Sequence, residues 1–181
     1  QNVIIDLGKV EAVLAVNEQI PGEIYQCHDR MKTYILEVKR TSKGTQVMVS
    51  RTHPGLLKRL FELEVPEISD GVVEIKSVAR EPGMRSKISV YTQDENIDPV
   101  GACVGHKGMR VQTIVNELRG EKIDIVKYSE DPAQYVANAL SPAKVVSTEV
   151  NMDEKICRVV VPDYQLSLAI GKEGQNARLA A

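Results

Sequence analysis

No run of apolar residues approaches the roughly 20 that a membrane-spanning helix requires. With 43% apolar and 27% charged residues, the composition is that of an ordinary folded protein. A membrane-embedded chain and a disordered one are therefore both excluded. Cysteine is scarce: Cys27, Cys103 and Cys157 are odd in number and far apart, so no disulfide framework is indicated and reduced, buried thiols are expected. Cys103-x-x-His106 lacks the two further spaced ligands of a zinc site, so no metal is expected. His28, His53 and His106 stand in no triad context, and Asp124, Asp131 and Asp153 fall at strand, cap and turn positions. Neither catalysis nor a cofactor is indicated. The chain opens Gln1-Asn2-Val3 without a methionine, a basic leader or an apolar signal core, and it stops at Ala181 inside a helical pattern. It reads as a fragment of a longer cytoplasmic protein.

Net charge is also small, -2 with a pI near 6.0, which argues mildly against a polyanionic partner. The local distribution is uneven. From Arg30 to Arg59 the chain carries Arg30, Lys32, Lys39, Arg40, Lys43, Arg51, Lys58 and Arg59 against Glu37, which is 8 minus 1, or +7. Glu62, Glu64, Glu67, Asp70 and Glu74 follow with no base among them. A basic and an acidic face on a neutral molecule is one reading; solvated surface charge is the other.

Periodicity divides the 181 residues into three parts. In residues 1–53, Val10, Ala12 and Leu14 alternate with their neighbours, as do Tyr34, Leu36 and Val38, and Lys43-Gly44 turns the chain into a strand over Gln46 to Ser50. These short strands suit part of a small β-barrel but are too few to close one. At Pro54 the pattern becomes helical, with Leu56, Leu57, Leu60 and Phe61 on one stripe and Pro66 at its end. Strands over Val72 to Ala79 and Lys87 to Tyr91 follow, then a short helix opened by Asp98-Pro99 and ending at Gly105. A second helix spans Met109 to Arg119, and a strand spans Lys122 to Tyr128. The order of residues 54–128 is thus α-β-β-α-α-β.

The same order restarts in residues 129–181. Asp131-Pro132 opens a helix, strands are expected over Lys144 to Val150 and Ile156 to Val161, and Pro162-Asp163 opens a short helix ending at Ile170. A shift of 66 residues lays Val104-Gly105-His106-Lys107-Gly108 on Ile170-Gly171-Lys172-Glu173-Gly174, an internal duplication. The final strand and most of the last helix of the second copy are missing.

A Gly-x-x-Gly turn between two short helices lets backbone amides approach a phosphate closely, since glycine has no Cβ in the way. The following helix adds its positive N-terminal end. Two such turns, each after an aliphatic residue and a strand pair, indicate KH domains, whose loop clamps about four nucleotides of single-stranded RNA over an apolar groove. The helix-first order is the type II arrangement of that fold. Val104 and Ile170 are candidate groove floors, and Gly105, His106, Lys107, Gly108, Gly171, Lys172, Glu173 and Gly174 form the clamps. Lys107 and Lys172 add charge attraction, whereas Glu173 repels a phosphate or points away. Arg110 and Arg178, on the helices leaving the loops, reach phosphate, stack on a base, or are simply solvated.

Ser50-Arg51-Thr52-His53-Pro54, Leu63-Glu64-Val65-Pro66-Glu67-Ile68, Gly120-Glu121-Lys122-Ile123-Asp124-Ile125, Ala139-Leu140-Ser141-Pro142-Ala143-Lys144 and Ala169-Ile170-Gly171-Lys172-Glu173-Gly174-Gln175-Asn176-Ala177-Arg178 closely resemble the NusA family of bacterial transcription factors. The resemblance spans essentially the whole chain. It implies a multidomain α+β protein: the later part of an OB-fold barrel of the ribosomal S-one type in residues 1–53, then two type II KH domains, the second truncated. It implies that Asn176 belongs with the RNA-binding residues. It also implies binding of nascent RNA, modulation of pausing, termination and antitermination, and contacts with RNA polymerase and other antitermination factors through regions outside these residues. A monomer with no membrane association is expected. The rival readings are a KH-domain ribosome-assembly protein, an RNA-decay accessory protein whose KH domain would precede its barrel, and a protein-binding scaffold.

Overall fold

In the computed structural model, which describes all 181 residues, the first layer is built by apolar–polar alternation. β1 (Val3–Asp6) pairs antiparallel with β2 (Glu11–Leu14), β2 runs parallel to β4 (Gly44–Ser50), and β4 pairs antiparallel with β3 (Tyr34–Thr41). The sheet is open, in the order β1-β2-β4-β3. Ala12, Leu14, Val47 and Val49 fill its buried face because residues two apart on a strand share a side. β1 was not expected, since Val3-Ile4-Ile5 is continuously apolar and shows no alternation.

The second body starts at α1 (Pro54–Glu64). His53 Nδ1 accepts the Gly55 amide at 2.9 Å, and proline at the first helical position completes the start. Pro66 follows the end of α1, as expected. It opens a further turn, α2 (Pro66–Ser69), with Val65 as the break, because proline suits a first turn as well as a stop. β5 (Glu74–Glu81) and β6 (Arg85–Tyr91) pair antiparallel, and β7 (Lys122–Lys127) lies parallel to β6. Between β6 and β7 come α3 (Pro99–Val104) and α4 (Met109–Glu117). Leu56, Leu57, Leu60, Phe61, Cys103, Ile114 and Leu118 pack from the helices onto Val73, Ile88 and Val90.

The third body has α5 (Pro132–Ala139), the antiparallel pair β8 (Ser147–Asn151) and β9 (Ile156–Val160), then α6 (Leu166–Ile170) and α7 (Gln175–Ala180). β8 begins three residues after the expected start, and the Lys144 amide is held by the Gln165 side chain at 2.9 Å.

The central strand β6 is buried over five consecutive residues, Ser86 to Val90. Its Ile88 and Val90 face α1, α3 and α4, and the other face is covered by α5 and α7 of the third body. Polar side chains make this second contact. The Tyr135 hydroxyl meets Ser89 Oγ at 2.8 Å, Lys87 Nζ donates to the Ser141 carbonyl at 2.8 Å, and Asn138 Nδ2 donates to the Lys127 carbonyl at 3.0 Å. Tyr128 and Tyr135 meet edge to face at 5.0 Å between centroids. The third body is therefore docked through α5 and α7 on the sheet of the second.

The first and second bodies are joined by ion pairs. Arg51, fully buried, pairs with Glu23 and with Glu117 Oε1 at 3.2 Å and also donates to the carbonyls of Lys32 and Glu117. Arg51 is therefore not part of a basic face, whereas the other seven bases of that stretch are exposed. The expectation for cysteine is also corrected. Cys103 is buried, which pushes its thiol up to about 12, but Cys27 and Cys157 are exposed. No helix is long and apolar enough to cross a membrane.

Candidate nucleic-acid interface

Each Gly-x-x-Gly turn follows a helix of five or six residues whose last carbonyls it must redirect. Gly105 has φ 78°, ψ 173° and Gly171 has φ 78°, ψ 171°, a region essentially reserved for glycine. Lys107 and Glu173 are both left-handed, at φ 51°, ψ 30° and φ 54°, ψ 27°. Gly108 and Gly174 close the turns at φ 74° with ψ of 13° and 11°. The two copies therefore repeat not only a sequence but a backbone path.

The Gly108 amide donates to Gly105 at 3.1 Å and the Gly174 amide to Gly171 at 3.2 Å, and the carbonyls of His106 and Lys172 accept from Met109 and Gln175. His106, Lys107, Lys172 and Glu173 lie exposed at the tips of the turns, where an anion can approach. In the first copy α4, nine residues long, adds the positive end of its dipole. In the second copy Glu173 sets a carboxylate beside the loop.

Of the thirteen expected site residues, the eight clamp residues occupy the two turns. Val104 is half-buried before the first glycine and Ile170 is 46% exposed before the second, as apolar groove walls require. The other three have partners inside the protein. Arg110 Nη1 donates to Glu67 Oε2 at 2.8 Å and to the Ala102 carbonyl at 2.7 Å, so its charge is spent inside the domain. Asn176 is 2% exposed and donates to the carbonyls of Leu140 and Ala169, both at 3.0 Å, so it is not available to a ligand. Arg178 is exposed but tied: it donates to Glu81 at 2.5 Å and to the Glu173 carbonyl at 3.1 Å. Gln175 donates to the other Glu81 oxygen at 2.8 Å. These hydrogen bonds hold the Glu81 carboxyl below its ordinary value and anchor the second turn to the preceding body.

The role of Glu81 was not foreseen. It sits 97 residues from Arg178, and no local pattern links them. A cleft of about 510 Å³ beside the first turn is lined by Glu64, Glu67, His106 and Arg110 among others.

Paired strands followed by a helix, a Gly-x-x-Gly turn and a second helix, present twice in one chain, define a tandem KH protein. Residues 51–128 match the model of a NusA-like first KH domain, and residues 132–181 match that of a NusA-like second KH domain. The chain is 70% identical over 179 residues to the transcription termination/antitermination protein NusA of Halalkalibacterium halodurans, covering 99% of this chain and 47% of that protein. It is 69% identical over 179 residues to that of Bacillus subtilis, covering 99% and 48%, and 51% identical over 180 residues to that of Thermus thermophilus, covering 99% and 46%. The chain belongs to the NusA family. It spans about half the length of these relatives.

Proposed function

We propose that the chain is the RNA-binding body of a bacterial transcription elongation factor, acting in the cytoplasm on the nascent transcript. Residues 54–128 and 129–181 are read as type II KH domains, a reading supported by the helix-first order and by β7 lying parallel to β6. Residues 1–53 are read as the later part of an OB-fold. The observation that carries the proposal is the repeated turn, with the same backbone path and exposed middle residues in both copies. Each turn clamps the sugar-phosphate backbone of about four nucleotides while the bases lie over Val104 or Ile170. Through such contacts, and through polymerase and antitermination factors bound by other regions of the protein, it modulates pausing, termination and antitermination. It works as a monomer.

Titration with a single strand and with a hairpin stem of equal length tests the reading. The strand is expected to bind more tightly, because the groove reads unstacked bases. Equal affinity overturns the proposal. Salt is expected to weaken binding with a shallow slope, since amides release few counterions. His106→Asp with Lys107→Asp is expected to abolish the first contact while leaving the circular dichroism unchanged.

A further inference from the structure

The 66-residue shift that superposes the two turns also superposes Arg110 on Asn176, and these unlike residues occupy one structural place. Each lies against the first glycine of its turn. A Cβ on Gly105 would stand 2.6 Å from Arg110 Cγ, and one on Gly171 would stand 2.7 Å from Asn176 Cβ. Each donates to the equivalent carbonyl in the preceding helix, Ala102 at 2.7 Å and Leu168 at 3.4 Å. Each also bridges to the segment after its domain's first helix, Arg110 to Glu67 and Asn176 to the Leu140 carbonyl. The Asn176 oxygen is buried without a partner while its nitrogen serves three carbonyls. Only the donor end fits that place, since a reversed amide would set oxygen against three oxygens.

We infer that the residue five places after the first glycine is the positioning residue of each clamp, Arg110 in the first and Asn176 in the second. It pins the second helix to the last turn of the first, and so fixes the pose in which the two middle amides meet a phosphodiester. Glycine permits the turn, but it does not select it, because a glycine explores many conformations. The inference rests on the clamp reading given above. It adds that the two clamps are locked by different chemistry, a half-exposed ion pair in one and a dry neutral amide in the other.

The test follows the amide resonances of His106, Lys107, Lys172 and Glu173 in the 181-residue chain during titration with a 12-nucleotide single-stranded RNA of mixed sequence. Affinity and melting temperature are measured in parallel. Arg110→Met is expected to erase the RNA-induced shifts at His106 and Lys107 while those at Lys172 and Glu173 persist, with affinity falling about tenfold, or about 1.4 kcal/mol. Arg110→Lys is expected to restore them, because one ammonium can serve the two oxygens that one arginine nitrogen serves. Asn176→Asp, equal in shape but without the donors, is expected to do the converse. Glu67→Gln weakens the first pin without touching either clamp helix, so it is expected to reduce the His106 and Lys107 shifts at an unchanged melting temperature. Shifts retained at a clamp whose pin is removed, or lost equally at both clamps, overturn the inference, as does failure of Arg110→Lys to restore them. Absence of all four shifts in the unaltered chain refutes the clamp reading itself, and the inference with it.

Discussion

Alanine placed singly at the four turn glycines separates backbone strain from steric clash. At Gly108 and Gly174 the backbone is left-handed, which costs an L-residue about 1–2 kcal/mol. A Cβ there meets nothing within 4 Å at Gly108 and only Arg178 Nη1 at 4.0 Å at Gly174. Alanine also restricts the unfolded chain, worth about 0.4–1 kcal/mol in its favour, so the net loss at either site is about 0–1.6 kcal/mol. Gly105 and Gly171 combine two penalties. Their φ of 78° with ψ near 172° costs about 1–3 kcal/mol for any other residue, and the new Cβ collides as well.

The two collisions differ. At Gly105 the obstacles are Arg110 Cγ at 2.6 Å, which can rotate away at the loss of Glu67, and the fixed Cβ at 2.8 Å, whereas at Gly171 they include both Cβ and the backbone nitrogen of Asn176 at 2.7 Å. A helix start cannot move without moving the helix. Gly171→Ala is therefore expected to be the most damaging of the four, about 3 kcal/mol, with Gly105→Ala next and the remaining two far behind. Urea denaturation followed by circular dichroism gives the order, and titration with single-stranded RNA shows whether the affected clamp is lost. The reasoning is refuted if Gly174→Ala costs as much as Gly171→Ala, or if Gly171→Ala binds RNA with unaltered affinity.

Glu81→Ala releases Gln175 and Arg178, and is expected to reduce the advantage of an RNA long enough to cross both clamps over a half-length one, measured by fluorescence anisotropy, with half-length binding unchanged. Glu121 is fully buried and holds Arg80, the Gly83 amide at 2.7 Å and the Ser86 hydroxyl at 3.0 Å. Glu121→Ala strands a buried guanidinium and is expected to cost about 3–5 kcal/mol by chemical denaturation. Burial pushes the Asp124 carboxyl up, but hydrogen bonds from Arg85 and Lys87 outweigh it and hold the carboxyl below its ordinary 3.8. The stability it contributes is thus present above that value and lost as pH falls through the depressed one. Asp124→Asn is expected to flatten this acid limb in melting curves recorded from pH 5 downward, a range of about that ordinary value and one unit either side.

Local signals carried the element order well. Caps such as Asp98 and Asp131 act within two residues, and each accepts the amide two places on, as His53 also does without having been foreseen. The duplication was legible for the same reason, since a turn of four residues encodes its own path. What the sequence hid was which polar side chains are free. Arg110 and Arg178 look alike on their helices, yet each is claimed by a carboxylate, Glu67 and Glu81, that lies 43 and 97 residues away. Arg51 was counted into a basic face because its partners, Glu23 and Glu117, come from a loop and from another body. Nor does periodicity reveal a buried asparagine, which only the surrounding carbonyls explain.

The face of the central sheet holding Ser77, Lys87 and Ser89 has the polarity of a strand turned to solvent, but α5 and α7 cover it, with Val136, Ala139 and Leu179 beside a gap of about 190 Å³. Here polar residues are an interface in which each group finds a specific partner, Lys87 with Asp124 and Ser141, and Ser89 with Tyr135. Such contacts fix one relative pose, since a shift of either body takes the Ser141 carbonyl from Lys87 and the Tyr135 hydroxyl from Ser89. The short connection over residues 129–131, stiffened by Asp131 and Pro132, suggests by itself that the two clamps are held rigidly. The structure adds to that connection the packing of α5 and α7 on the central sheet and the bonds from Gln175 and Arg178 to Glu81. Binding at the second clamp is then intramolecular at a set distance, a gain in avidity that depends on the geometry being fixed. A flexible spacer inserted after Ser129 leaves those contacts in place, so it erodes the gain less than the loss of Glu81 and Lys87 together.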